Sequence, residues 1–159
     1  MNWRALETAS PELARRGRER LEEARVALLG TVRKDGSPRI SPVEPYLADP
    51  DLLIGAMSWS LKTRDLRRDA RCVLHSAVTG PDAGEGELRL YGRAVEASAA
   101  ARERCSEGWW HRLPAADAAV FTLEIEEATF IAWDVRRGRM TVHRWSPGRG
   151  ATVTERGYP

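Results

Sequence analysis

Between Val26 and Trp145 apolar and polar positions alternate in short runs that end at glycine, proline or aspartate, and only a few stretches carry a helical period. The first helical stretch opens at Ser10-Pro11-Glu12. A capping hydroxyl, a proline at the first helical position and an acid in the first turn predict a helix to about Arg25, with Leu13, Leu21 and Ala24 able to share a face. Gly17 weakens it by about 1 kcal/mol relative to alanine, and its arginines and glutamates read as a solvated face with i,i+4 pairing.

From Val26 the period drops to two. "VALLGTVR" and "RISPVEPYL" bracket "KDGSP", where Asp35-Gly36 supplies the residues a tight antiparallel hairpin needs at positive φ. "ADPD" at 48–51 turns the chain into a third strand, "LLIGAM". "SWSLKTRDLRRDAR", 58–71, reads as a turn opening a short helix. "RCVLHSAV" is a fourth strand, "TGPDAGEGE" a flexible loop, and "LRLYGRAVEA" a fifth strand with Gly92 as a bulge or a point of close approach. "SAAARERCSEG" has helix composition, started by Ser98 and stopped by Gly108. "AVFTLEIE", "TFIAWDVR" and "RMTVHRW" are three more strands, the last two joined through Arg137-Gly138, for about eight in all. So many short strands joined by local turns favour an antiparallel barrel or sandwich, because a parallel sheet needs helices between most strands. No repeat or linker divides the chain, so residues 1–159 are expected to form one domain with an N-terminal helix at about 10–25.

Composition narrows the function. Twenty-five basic against 23 acidic side chains give a net charge of +2, too balanced for a nucleic-acid binder. No apolar run approaches the ~18 residues of a membrane span. The N-terminal stretch lacks the continuous apolar region of a secretory signal, which places the protein in the cytoplasm with Cys72 and Cys105 reduced and most simply buried as small hydrophobes.

Most reactive constellations are absent. There is no nucleophile elbow, no phosphate loop and no strand-to-helix dinucleotide fingerprint. His75, His111 and His143 are scattered, and Cys72 with His75 is the only pair at a metal-compatible spacing, so no metal site is expected. Glu124, Glu126 and Glu127 read as a solvent face. No side chain declares itself a catalytic acid or base, which leaves chemistry brought by a cofactor.

One lysine is out of place. Lys34 and Lys62 are the only lysines of the chain. With Ser58 or Ser60 as the cap, Lys62 falls in the first helical turn, where free backbone N–H groups and the macrodipole already present roughly half a positive charge. A cation there is mildly repelled unless an anion sits against it, in which case hydroxyls, amides and the ammonium all point at that anion. The bland alternative is a lysine extended into water beside Asp65.

The surroundings of Lys62 favour the anion. Thr31, Asp35, Gly36, Pro38, Ser41, Pro42 and Val43 in the hairpin, and Ser60, Lys62, Leu66, Asp69 and Arg71 in the helix, resemble the two motifs of the pyridoxamine-phosphate-oxidase-like family of flavin-binding split β-barrels. The likeness is strongest over 28–78 and extends from about residue 25 to 150 through "LYGRAVE" and "HRWSPGRG". It implies a mainly β protein with peripheral helices, an antiparallel split barrel, acting as a homodimer with cofactor at the subunit interface. It further implies that residues matching Arg39, Ser60 and Lys62 hold the phosphate of FMN, and that Ile40, Ser41, Met57 and Ser58 flank the ring edge and ribityl chain. Trp145 is either a lid on the ring from the partner subunit or a core aromatic. Leu61 stands where many members carry arginine and Ala70 where proline is usual. With arginine used far above lysine, the deazaflavin coenzyme F-420 is the alternative cofactor, and haem, with one of the histidines as axial ligand, a less favoured one. Nothing matches the C-terminal substrate-binding segment of true pyridoxamine-phosphate oxidases. The expected activity is hydride transfer between the bound ring and a small organic substrate, with a non-catalytic flavin or haem carrier as the rival.

Overall fold

In a computed structural model that describes residues 1–78, 80 and 86–157, nine strands form one sheet in which every pairing is antiparallel. Two helices come first, α1 (Trp3–Ala9) and α2 (Pro11–Ala24). They are followed by β1 (Ala27–Val32), β2 (Pro38–Val43), β3 (Pro45–Ala48) and β4 (Asp51–Met57). Helix α3 (Leu61–Arg68) leads to β5 (Arg71–Ser76) and β6 (Glu87–Glu96). Helix α4 (Ala99–Glu103) precedes β7 (Ala118–Asp134), β8 (Arg139–Ser146) and β9 (Gly150–Gly157). The loop expected at 79–87 falls largely outside the described residues.

Seven strands run in the order β2-β1-β5-β6-β7-β4-β3. The two ends of that order, β2 and β3, are joined through Glu44 alone, so the sheet must curl back on itself. This is a mainly antiparallel, split-barrel-like architecture: the short strands and local turns predict an antiparallel barrel or sandwich, and the family resemblance implies the split barrel. The sequence offered "RISPVEPYL" as one strand. It divides at Glu44 because Val43 completes the pairing with β1 while Pro45 begins the pairing with β4, and a proline cannot donate to the first ladder.

A second correction runs the other way. "AVFTLEIE" and "TFIAWDVR" are a single 17-residue strand, β7. Along one edge it pairs with β6, and along the other it meets β4 through Ala118–Thr122 and β8 through Ala128–Asp134. The polar "EEA" that looked like a turn is a β-bulge: Tyr91 pairs with Glu127 and Gly92 with Ile125, leaving Glu126 as the extra residue. Gly92 is the close approach expected of it, since a Cβ built there would lie 2.0 Å from the Glu124 carbonyl oxygen.

The barrel is filled by Leu29, Leu52, Ile54, Leu74, Leu90, Phe121, Leu123 and Ile125, with Trp3, Leu6, Leu13 and Leu21 of α1 and α2 closing one side. Strand β4 is buried on both faces, because Leu53 turns away from this core into a smaller cluster with Ala101, Cys105, Trp110, Ala118 and Val120. β4 is thus a stiff support that delivers its C-terminal end, Met57, to the surface. Both cysteines are free; burial pushes the Cys72 thiol up to about 12, too high for a reactive thiolate at neutral pH. Among the described residues no helix is long and apolar enough to cross a membrane.

Candidate functional site

The hairpin and the helix singled out in the sequence meet. The loop between β1 and β2 is closed by Arg33 N–H donating to the Ser37 carbonyl at 2.9 Å. Gly36 adopts φ +84°, and the Asp35 carboxylate accepts from both Ser37 N–H at 3.0 Å and Ser37 Oγ at 2.6 Å. On β2 the alternation of a strand then turns Arg39 and Ser41 inward and leaves Ile40 outward, 70% exposed.

Opposite them, α3 begins after β4. Ser60 is its N-cap; its Oγ accepts from Thr63 N–H at 3.4 Å and shares a 3.0 Å hydrogen bond with Thr63 Oγ1. Thr63 Oγ1 lies 2.9 Å from the Met57 carbonyl, which ties the first turn to the end of β4. Among the described residues the amides of Leu61 and Lys62 find no acceptor. The helix therefore presents free donors and the positive end of its dipole on this side.

Between β2 and the start of α3 lies an open groove of about 520 Å³, lined by Arg33, Pro38, Arg39, Ile40, Ser41, Trp59, Ser60, Leu61 and Lys62. Five of the residues expected at a cofactor site, Arg39, Ile40, Ser41, Ser60 and Lys62, are brought together here. Met57 and Ser58 stand at the β4 end of the same turn without lining the groove; Ser58 N–H donates to the Asp117 carbonyl at 3.0 Å. Trp145 is 8% exposed and packs within the barrel core. Arg33 and Trp59 were not singled out in the sequence. Arg33 sits where the hairpin loop begins, and Trp59, 72% exposed, is an apolar side chain flanked by serines, a pattern that says surface but not which surface.

Among the described residues no carboxylate lines the groove, and neither Lys62 nor Arg33 has an acidic partner. Arg39 is held differently. Its Nε donates to Asp65 Oδ2 at 2.7 Å, and the same oxygen accepts from Thr31 Oγ1 at 3.1 Å. Arg68 donates to Asp65 Oδ1 at 3.4 Å and to the Val32 carbonyl. Asp65 itself is 4% exposed, at the back of the site. Burial raises its carboxyl's pKa, but the hydrogen bonds from Arg39 and Thr31 outweigh that and leave it below the ordinary aspartate range.

A depressed folded-state value means that the stability Asp65 contributes is present above its unfolded value near 3.8 and lost as pH falls through the lower folded value. The stability difference between the wild type and Asp65→Asn, measured by thermal unfolding at a series of pH values, should accordingly be constant above about pH 5 and shrink below about pH 4. A gap that does not change down to pH 2.5 would show that the carboxylate is not ionised and paired in the folded state.

No histidine lines the groove. His75 lies on β5, with Nδ1 2.7 Å from the Ser76 carbonyl, and His143 is buried on β8, its pKa lowered by desolvation and by Arg16. No cluster of three or more metal-ligating side chains occurs among the described residues. Glu124, Glu126 and Glu127 are exposed, as a solvent face requires.

The groove thus combines a cationic floor with an apolar fringe, a lining whose charge and free amides are chemically compatible with a phosphate. Comparison with known proteins points the same way. The sequence model described as pyridoxamine 5'-phosphate oxidase matches residues 13–132. No curated protein matches the chain. Among solved structures, PhzG from Burkholderia lata 383, in complex with tetrahydrophenazine-1-carboxylic acid, shares 17% identity at a TM-score of 0.65 over 96% of this chain and 92% of that one. A pyridoxamine 5'-phosphate oxidase-related, FMN-binding protein from Nostoc punctiforme PCC 73102 shares 14% identity at a TM-score of 0.60 over 97% of both chains. A heme binding protein from Mycobacterium smegmatis shares 15% identity at a TM-score of 0.57 over 87% of this chain and 88% of that one. At these identities the three likenesses establish the fold.

Proposed function

Because the chain belongs to the pyridoxamine 5'-phosphate oxidase family, we propose that it is a flavin- or deazaflavin-dependent oxidoreductase whose cofactor is anchored by its phosphate in the groove between β2 and α3. The observation that carries this reading is the meeting of Arg33, Arg39 and Lys62 around two unpaired helix-start amides, with no acid among the described lining residues. Three cations concentrated in one groove of a chain whose overall charge is only +2 are a local feature, explained by an anionic ligand.

Lys62 and the terminal nitrogens of Arg39 would hold the phosphate, with the Leu61 and Lys62 amides as further donors. Ile40 and Ser41 on β2, and Met57 and Ser58 at the end of β4, extend the surface along which the ribityl chain and ring edge would lie. When bound, the ring supplies hydride donor and acceptor chemistry. The protein's part is to orient that ring, limit water around it and present donors to its polar edge. FMN is the first choice of cofactor and F-420 the second, and the substrate class is a small organic molecule.

We further propose that the site is completed by a second copy of the chain. Ile40, Trp59 and Leu61 form a fringe of large apolar side chains that are 53–72% exposed along the groove, with Met57, 40% exposed, at the end of β4 beside it, and burying them against a partner would also cover a bound ring. Sedimentation should give a dimer. Ile40→Asp should shift it toward monomer and weaken FMN binding together with assembly; a wild-type monomer that binds FMN fully would remove the partner from the site.

The rival is a haem or flavin carrier on the same barrel, and an axial histidine is what the groove lacks. The absorption spectrum and mass spectrum of ligand released from the native protein separate flavin from haem. A flavin or deazaflavin chromophore of matching mass that is reduced and reoxidised in turnover with a small organic substrate supports the oxidoreductase, and one that is bound without turnover supports a flavin carrier. An intense Soret band favours the rival.

A further inference from the structure

The Asp65 carboxylate is buried behind the groove and is not one of its lining residues, yet three elements converge on it. Thr31 and Arg39 are cross-strand partners on β1 and β2, and both donate to the same oxygen, Oδ2, at 3.1 and 2.7 Å. Arg68, one turn further along α3, donates to Oδ1 at 3.4 Å. We propose that Asp65 is a positioning residue for phosphate recognition: it fixes the Arg39 guanidinium by its Nε edge so that the remaining N–H donors are held for the ligand's phosphate. The inference rests on the anion-socket reading of the groove and adds to it a residue outside the groove that sets the site's discrimination.

The geometry supplies the reason. A guanidinium carries five N–H donors in a planar fork, and here a single Nε contact with Asp65 is the only hydrogen bond the Arg39 side chain makes among the described residues. Four donors are left over on a side chain only 20% exposed at the groove wall. An arginine free to rotate loses side-chain entropy when it closes on phosphate, whereas one already fixed at Nε has lost most of it on folding. Arg39 is thus prepared for bidentate contact, in contrast to Lys62 and Arg33, which have no partner in the described residues.

Electrostatics alone predicts the opposite sign, which makes the idea decidable. Asp65 is the negative charge nearest to Arg39, and a purely coulombic role means that removing it leaves the groove more positive and the phosphate more tightly bound. Positioning means that removal weakens phosphate binding even though the site gains positive charge. A general scaffold role lowers affinity for every ligand alike.

The experiment titrates FMN and riboflavin, which differ by the phosphate, into wild-type protein, Asp65→Asn, Arg39→Ala and the double variant, followed by flavin fluorescence. Asp65→Asn should lose about 10-fold in FMN affinity, the scale of one charge-assisted contact, with under 2-fold change for riboflavin. The double variant should bind FMN no worse than Arg39→Ala alone, because Asp65 acts through Arg39. Should Asp65→Asn fold poorly, Thr31→Val removes one neutral anchor of the same carboxylate and should shift the FMN-to-riboflavin ratio in the same direction by a smaller factor. Tighter FMN binding in Asp65→Asn, equal losses for both flavins, or additive losses in the double variant each overturn the positioning role while leaving the groove reading intact. Wild-type protein that binds FMN no better than riboflavin overturns the groove reading, and the positioning role with it.

Discussion

Lys62→Ala is expected to weaken FMN binding by roughly 10- to 100-fold, the equivalent of losing one charge-assisted phosphate contact of about 1.5 to 3 kcal/mol. The fold should be unaffected, because Lys62 makes no hydrogen bond or ion pair among the described residues and the first turn of α3 is secured by Ser60 and Thr63. Removing a cation from the start of a helix should even favour the free protein slightly, since the macrodipole repels it there. The combination is diagnostic: a side chain that does nothing for stability, or mildly opposes it, is retained for a ligand. Lys62→Arg should restore the affinity only in part, because a planar fork on a different stem does not replace a point charge. Isothermal titration with FMN alongside urea unfolding reads both quantities. A loss under twofold with intact fold would take Lys62 out of the site.

The second large effect is on the scaffold. Gly92→Ala should destabilise the protein by about 3 kcal/mol, at the upper end of what overpacking costs, because the new methyl group meets a main-chain carbonyl that cannot swing away as a side chain could. The β6–β7 ladder would have to open at the bulge between Tyr91 and Gly92. Unlike Lys62→Ala, this variant should move the urea midpoint strongly and, once folded, bind FMN with near wild-type affinity. A stability loss below about 1 kcal/mol would show that the bulge relaxes around the methyl group.

The contrast between these two positions also explains what the sequence could disclose. The hairpin with Gly36, the bulge at Gly92 and the capped start of α3 are local events, each requiring a particular residue type at a particular place, and each could be read in advance. Elements without such a local signature were missed. Strand β9 is exposed along its whole length, so its residues carry no alternating apolar face, and it exists by pairing with β8. Helix α1 is only seven residues, a length at which its Asn2 cap and two buried side chains, Trp3 and Leu6, do not stand out. The stretch from Ser98 to Gly108 has helix composition, but α4 ends at Glu103, and Gly108 instead lets the chain pass the Trp110 ring, a tertiary demand no local pattern announces. Ser10 likewise has the look of a cap for α2, yet makes no side-chain capping bond; its own N–H closes α1 by donating to the Leu6 carbonyl at 2.8 Å.

The candidate site was legible to a similar depth. Lys62 stood out because its charge conflicts with its position, and a conflict between local physics and residue choice is the kind of signal a ligand leaves. Arg39 and Ser41 came from resemblance, and the fold brings them to face Lys62. Arg33 and Trp59 needed the three-dimensional structure, since nothing in a loop arginine or an exposed tryptophan says which groove it borders. Asp65 looked like a surface partner for Lys62. It is instead buried against Arg39, Thr31 and Arg68, which leaves the lysine uncompensated.

The central claim is that the groove between β2 and α3 recognises a phosphate, and the most direct test is to titrate the wild-type protein with FMN and with riboflavin under the same low-salt conditions. With two or more charge-assisted contacts to the phosphate, FMN should bind at least about 100-fold more tightly, and inorganic phosphate should compete with it. Equal affinities for the two flavins, or FMN binding that phosphate leaves untouched, would contradict the account.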